Sequence, residues 1–147
     1  RLAAQLTTSA SFDSLWNVLT DYDRLNLYIP NLLSSKKIYQ KNNNVHLKQV
    51  GAQDFLGMKF SAEVTIDLFE DKELGLLKFS LIKGDFRKFE GSWKIQNIKD
   101  TSKNSLIYDL TVQGCQWMPI GMIEKRLKKD LSENLIAVDR QAKLSIN

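Results

Sequence analysis

The chain has 147 residues, of which 43% are hydrophobic and 26% charged, and its formal net charge is +4. These values are ordinary for a soluble globular protein, and a single domain over residues 1–147 is expected. The one cysteine excludes an internal disulfide and a multi-thiolate metal site, and no apolar run approaches the roughly 18 residues that a membrane span needs.

The charge balance is mildly basic, with a pI near 9.1. It permits weak attraction to anionic lipid or RNA but indicates neither, and no DNA partner is predicted. A single cysteine fits a reducing compartment, so a cytoplasmic location is expected. Because the chain begins with Arg1 rather than Met, a removed N-terminal leader stays open as an alternative.

The first predicted elements are a short strand over Leu2–Thr8 and a helix over Ser9–Thr20. Ser11 is placed to cap the helix, and Asp13 lies in the first turn, where a negative charge meets the positive end of the helix dipole. Helical spacing then gives this segment one apolar face. That face consists of Phe12, Leu15, Trp16 and Leu19.

A second short helix is predicted over Leu25–Ile29, and it must end before Pro30, because the residue ahead of a proline avoids helical geometry. From Leu32 onward the period changes to that of strands. The clearest strand, Gly57–Glu70, alternates apolar and polar residues, which is typical of an antiparallel sheet with one wet face. The other predicted strands cover Ser34–Gln40, Val45–Gln53, Leu77–Leu81, Phe89–Ile95 and Leu106–Val112.

The C-terminal run Pro119–Ser145 predicts one long helix. Its apolar stripe consists of Ile120, Ile123, Leu127, Leu131, Leu135, Val138 and Ala142. Its opposite, charged face consists of Glu124, Lys125, Arg126, Lys128, Lys129, Asp130, Glu133 and Asp139. The element order predicts an α+β fold, in which a curved antiparallel sheet of about seven strands wraps round this helix and one or two short N-terminal helices close one end.

Four segments carry a resemblance to a known superfamily. They are Ser11–Tyr22, Tyr28–Asn31, Phe89–Trp93 and Leu131–Leu135. With the element order, they resemble the START/polyketide cyclase-like (SRPBCC) superfamily and its helix-grip fold. The nearest branch is the coenzyme Q-binding START-like, or polyketide cyclase/dehydrase and lipid transport, group.

This resemblance implies binding, transport or chaperoning of a hydrophobic small molecule such as a lipid, an isoprenoid quinone or a pigment. The ligand would lie in a cavity between the sheet and the C-terminal helix, with Tyr108 and Gln49 as polar contacts. The alternative is a filled core, since alternating aromatic residues commonly pack against each other. The predicted lining residues are Phe60, Ala62, Val64, Phe79, Trp93, Tyr108, Leu110, Met122, Leu127 and Leu131.

Three apolar residues beside the strand ends, Phe55, Trp117 and Met118, are predicted to form a lid or to touch a membrane surface transiently. The alternative is ordinary capping of the core edge. The lysines near the start of the long helix are interpreted as a solvated face, because mixed charge on an exposed face is the usual pattern.

No catalytic residue, cofactor or metal is predicted. His46 is the only histidine and is expected to face solvent without a positioned partner, and Glu63, Asp67 and Asp109 lie on polar strand faces. A polyketide cyclase/dehydrase remains the enzyme alternative implied by the resemblance. A third alternative is a macromolecular interaction module related to ribosome-associated members of the superfamily.

Overall fold

A computed structural model describes residues 1–55, 58–114 and 120–144, with side chains for all of these except 53–55, 58, 60 and 120–123. It contains seven strands, three α-helices and one 3-10 turn. In chain order these are β1 Leu2–Thr8, α1 Phe12–Leu19, the 3-10 turn Tyr22–Arg24, α2 Leu25–Tyr28, β2 Leu32–Lys41, β3 Asn44–Phe55, β4 Met58–Asp71, β5 Leu76–Gly84, β6 Lys88–Asn97, β7 Asn104–Gln113 and α3 Ile120–Leu144.

The strands form one open sheet in the order β1-β7-β6-β5-β4-β3-β2, and every neighbouring pair is antiparallel. Five of the six pairings join strands that follow each other in the chain, while β1 pairs with β7 across the molecule. The predicted α+β fold with a seven-stranded antiparallel sheet is therefore confirmed, although the strands extend one or two residues beyond most of the predicted limits.

Period-two alternation places one apolar set on the inner face of this sheet. Leu68 pairs with Phe79, and Leu77 pairs with Trp93, so these side chains lie side by side on the inner face. All four are buried. The outer face carries the charged partners, as in the pair of Lys48 on β3 and Glu63 on β4, whose charged atoms are 3.0 Å apart.

The N-terminal helices cover part of the inner face. The hydroxyl of Ser11 accepts a 3.1 Å hydrogen bond from the backbone N–H of Ser14, which is the predicted N-cap of α1. The segment between the two predicted N-terminal helices forms the 3-10 turn, and Tyr22 in this turn donates a 2.5 Å hydrogen bond to Glu70 on β4. Helix α2 ends at Tyr28, just short of the predicted Ile29, since extended geometry is favoured before a proline.

Helix α3 packs mainly across β1, β7 and α1. Its stripe residues Leu131, Leu135, Val138 and Ala142 are all buried, as predicted. At its C-terminal end, Asp139 accepts a hydrogen bond from the hydroxyl of the buried Thr8 on β1 and lies 3.1 Å from the ammonium of Lys143. Pro119 and Ser145, the predicted ends of this helix, lie outside the described residues.

The charged face of α3 was predicted wrongly at two positions. Asp130 was assigned to the solvated face, but it is only 8% exposed. Asp139, assigned to the same face, is largely covered by its contacts with β1. The reason is that α3 packs against the sheet on one side and the short helices on another, so its buried arc is wider than its apolar stripe.

Candidate functional site

The interior between α3 and the inner face of the sheet holds most of the predicted lining residues. Ala62 and Leu127 are half-buried. The side chains of Phe60 and Met122 lie outside those that the structure describes. The buried members of the predicted set are Val64, Phe79, Trp93, Tyr108, Leu110 and Leu131.

One wall of this interior is a stacked aromatic pair. Trp93 on β6 and Tyr108 on β7 are paired directly in the sheet, and their rings lie parallel with centroids 4.0 Å apart and planes at 12°. Burial and the nearby carboxylate of Asp130 raise the pKa of the Tyr108 phenol. A phenol is protonated at neutral pH even at its ordinary pKa of 10.0, so the Tyr108 hydroxyl is available as a hydrogen-bond donor.

A polar flank of α3 lies beside this wall. Asp130 and Asn134 are four residues apart, so they lie one turn apart on the same side of the helix. Both side chains carry a buried oxygen. Prediction from the sequence missed this flank; the signal that could have found it is that both residues adjoin the apolar stripe at Leu131 and Leu135.

The apolar residues that line the interior are more exposed to solvent toward the β5–β6 turn. Phe79 contacts Phe89, and Phe89 contacts Phe86, with ring centroids 5.7 Å and 5.4 Å apart. This row of rings leads from the buried core to a turn at the sheet end. Five half-buried apolar residues pack against the core in this region: Leu81, Phe86, Phe89, Val112 and Leu127.

The predicted lid residues cannot be placed around this end. Phe55 is the last residue of β3, and its side chain is not among those described. Trp117 and Met118 lie outside the described residues. The lid therefore stays a prediction.

Gln49, the other predicted polar contact, lies on β3 directly opposite Val64. It faces the interior, because it is in step with the buried Val45 and Leu47. Its side-chain amide donates a 3.1 Å hydrogen bond to the hydroxyl of the buried Ser35 on β2. This bond uses one of the two amide N–H groups of Gln49, so the second is not committed to Ser35.

A separate groove of about 650 Å³ lies on the other side of the β3–β4 hairpin. Ala52 and Ser61 contribute to it and pair with each other, whereas Ala62, the next residue on β4, faces the interior. The segment around Pro30 forms the opposite wall of this groove. The groove is therefore distinct from the predicted lining of the interior.

The histidine and the acidic residues considered for catalysis lie on the outer face. His46 is partly exposed, as predicted, but it does have a partner: its Nε2 atom lies 3.4 Å from Asp67, and its ring lies 4.7 Å from that of Tyr39. The prediction of no partner was wrong because β3 and β4 pair these residues directly. Asp109 binds Arg1, and that hydrogen bond holds the pKa of its carboxyl below the ordinary value.

The part of the chain that the structure describes holds neither a metal-binding cluster nor a membrane-spanning helix. No three histidine, cysteine, aspartate or glutamate residues there are grouped to hold a metal ion. None of the described helices has both the length and the hydropathy to cross a membrane.

Comparisons with known proteins place these features in context. The sequence profile described as "Polyketide cyclase / dehydrase and lipid transport" matches residues 8–139. No curated protein sequence matches the chain.

Several solved structures share the fold at low sequence identity. A Thermus thermophilus protein has a TM-score of 0.84 at 16% identity, with 99% of both chains covered. The Zhui aromatase/cyclase of a Streptomyces species has a TM-score of 0.81 at 15% identity, covering 99% of this chain and 94% of its own. A STAR-related lipid transfer protein of Xanthomonas axonopodis has a TM-score of 0.82 at 10% identity, covering 96% and 84%. At these identities the likeness establishes the fold alone.

Proposed function

Because the chain belongs to the polyketide cyclase/dehydrase and lipid transport family, we propose that it binds a hydrophobic small molecule between α3 and the inner face of the sheet. The ligand would be a lipid, an isoprenoid quinone or a pigment, and binding would serve transport or chaperoning. The proposed contacts among the described side chains are Ala62, Val64, Phe79, Trp93, Tyr108, Leu110, Leu127 and Leu131.

The observation that carries this proposal is the change in burial along the interior. Leu106 and Val138 are fully buried, whereas Phe89, Val112 and Leu127 are only half-buried although they pack on the same core. A filled core would leave little apolar surface uncovered on the inner face. The uncovered surface supports a ligand site toward the β5–β6 turn.

Removal of apolar surface from water would drive the binding. Each Å² of apolar surface removed contributes about 25 cal/mol, so a ligand that buries about 300 Å² of its own surface gains about 7.5 kcal/mol before association costs. The ring contacts of Phe79, Phe86 and Phe89 offer flat apolar surface to planar or isoprenoid groups.

Uptake of a neutral fluorescent probe, N-phenyl-1-naphthylamine, tests the proposal. Saturable uptake is expected, and Ala62→Trp is expected to abolish it, because the indole would occupy the interior beside Val64. Ser61→Trp is the matched control, since this neighbouring side chain lies on the other face of β4. Absence of saturable uptake, or equal loss in both variants, would rule out the interior site.

One observation favours a second candidate, a polyketide cyclase/dehydrase. Asp130 is a buried carboxyl beside the Tyr108 phenol, and such a pair has the chemistry to move a proton on a bound chain. Turnover of a poly-β-keto thioester by the unmodified protein, lost in Asp130→Asn while probe uptake persists, would support this candidate. Uptake without turnover would leave binding as the function.

A further inference from the structure

The side chain of Asn134 has an unusual hydrogen-bonding state. Its carbonyl oxygen is buried, and no residue among those described donates a hydrogen bond to it. Buried polar atoms of folded proteins almost always have a partner, and burial without one costs free energy. This oxygen therefore requires a donor from outside the described side chains.

The flank of α3 that carries Asn134 borders the proposed ligand site. Asp130, one turn earlier on the same flank, is buried and lies close enough to Tyr108 on β7 to contribute to the raised pKa of its phenol. Cα–Cβ bonds in a helix tilt toward its N-terminus, so the Asn134 amide leans toward the turn that holds Asp130 and Leu131. Its oxygen is thus placed at the polar edge of the apolar interior.

We infer that the ligand carries a hydroxyl group at its inner end and that this hydroxyl donates a hydrogen bond to the side-chain carbonyl oxygen of Asn134. The inference rests on the proposed function and narrows its ligand class. Apolar alcohols, phenols and hydroquinones supply the donor, whereas quinones, ethers and esters offer only acceptors at this position.

The chemistry around Asn134 supports this choice of ligand. An acceptor-only ligand would place its oxygen beside the Asn134 carbonyl, which would then receive no donor from the ligand. A hydroxyl donates to Asn134 and leaves its own lone pairs for a donor such as the Tyr108 phenol. Leaving a buried group without a hydrogen-bonding partner is costly. The difference in affinity between hydroxyl and acceptor-only ligands is therefore expected to come from the hydrogen bond to Asn134.

The test compares farnesol with farnesyl methyl ether as displacers of N-phenyl-1-naphthylamine. Farnesol is expected to bind about tenfold more tightly than the ether to the unmodified protein. In Asn134→Leu, a variant of similar size without the carbonyl, the ratio of the two affinities is expected to fall to about one. Ser132→Ala, an exposed position on the same helix, is the control and is expected to keep the tenfold ratio.

Other outcomes would overturn the inference. Equal affinity of the unmodified protein for alcohol and ether, or an unchanged affinity ratio in Asn134→Leu, would show that Asn134 does not distinguish a hydroxyl from an ether. If neither compound nor the probe binds, the proposed function itself fails, and the inference fails with it. Should Asn134→Leu not fold, Asn134→Ala takes its place, and the ratio in the unmodified protein still decides.

A second readout separates ligand recognition from a structural role. Asn134→Leu without ligand is expected to keep or raise the Tm, because it removes a buried oxygen that lacks a donor. A carbonyl that served the fold would give a lower Tm and an unchanged ligand ratio, which would contradict the inference.

Discussion

The carbonyl oxygen of Asp109 lies against the α-carbon of Gly91, so close that a β-carbon at position 91 would overlap it. The added carbon would also lie 3.0 Å from the ring of Phe79. The glycine in the segment Phe89–Trp93 is therefore required by the close approach of β6 to β7 and by the aromatic side chain beside it, and not by a turn.

Gly91→Ala is expected to lower the free energy of unfolding by about 3 kcal/mol, because neither the backbone of β7 nor the buried Phe79 can move without repacking. Urea denaturation followed by circular dichroism measures the change. Gly51→Ala is the control: its added carbon would meet only the carbonyl oxygen of Asn31, at an ordinary 3.6 Å, so a change under about 1 kcal/mol is expected. Equal losses in the two variants would contradict this account.

Leu131→Ala tests the orientation of α3. Leu131 is 2% exposed, so truncation to alanine is expected to cost about 2–5 kcal/mol of stability through lost burial and the cavity left behind. Ile136 on the same helix is 51% exposed, and Ile136→Ala is expected to change stability by no more than about 0.5 kcal/mol. Thermal and urea unfolding of both variants would show this contrast, and a reversed order would mean that the helix presents another face to the sheet.

The free energy of unfolding is expected to decrease as the pH rises above about 10. Burial and, for Tyr22, the bond to Glu70 raise the phenol pKa values of Tyr22 and Tyr108 above their ordinary value of 10.0. In this window the unfolded chain loses protons that the folded chain keeps, so each phenol lowers the free energy of unfolding by about 1.4 kcal/mol per pH unit. Below pH 10 their contribution is constant.

Urea unfolding between pH 8 and pH 11.5 measures this dependence. Tyr22→Phe is expected to be less stable at pH 8 by about 1 kcal/mol, since the bond to Glu70 is lost. Above pH 10 its free energy of unfolding should also fall less steeply than that of the unmodified protein, by about 1.4 kcal/mol per pH unit, because one phenol fewer titrates. Parallel curves for the variant and the unmodified protein would show that the Tyr22 phenol titrates normally in the folded state.

Thr8→Val tests the attachment of α3 to β1. The hydroxyl of the buried Thr8 donates to Asp139 and accepts a 2.9 Å hydrogen bond from the backbone N–H of Ala10. Its loss leaves two groups without this partner, so a cost of about 2 kcal/mol is expected in thermal unfolding. Thr7→Val changes the same residue type one position earlier on the exposed side and is expected to be nearly neutral. A loss of stability of similar size in Thr7→Val would mean that the effect comes from placing valine on β1 and not from losing the hydrogen bonds of Thr8.

Local patterns were sufficient to predict the type and order of most elements. The alternation along Met58–Asp71 and the spacing of Leu131, Leu135 and Val138 report burial directly, because apolar residues on one side of an element must be covered. The cap at Ser11 was also predicted correctly, since capping depends on neighbours in the chain. Pairing of β1 with β7 depends on residues about 100 positions apart, and local periodicity carries no information on it.

The polar features of the site could not be predicted in the same way. Asp130 was assigned to solvent because it is charged, and its burial follows only from packing of α3 against two layers. Likewise, His46 seemed to lack a partner because Asp67 is distant in the chain and is brought to it only by the register of β3 and β4. A charged residue that adjoins an apolar stripe is thus ambiguous until the neighbours of its helix are known.

The attachment at Thr8 and Asp139 has a mechanical consequence for α3. The helix is held firmly where Val138 and Ala142 are fully buried, and Leu127 lies about 16 Å away from Val138 along the axis. A tilt of the α3 axis by about 5° at the Thr8–Asp139 contact would displace Leu127 by about 1.4 Å at that distance. The strength of the Thr8–Asp139 contact would then affect the width of the space that a ligand can occupy beside Leu127.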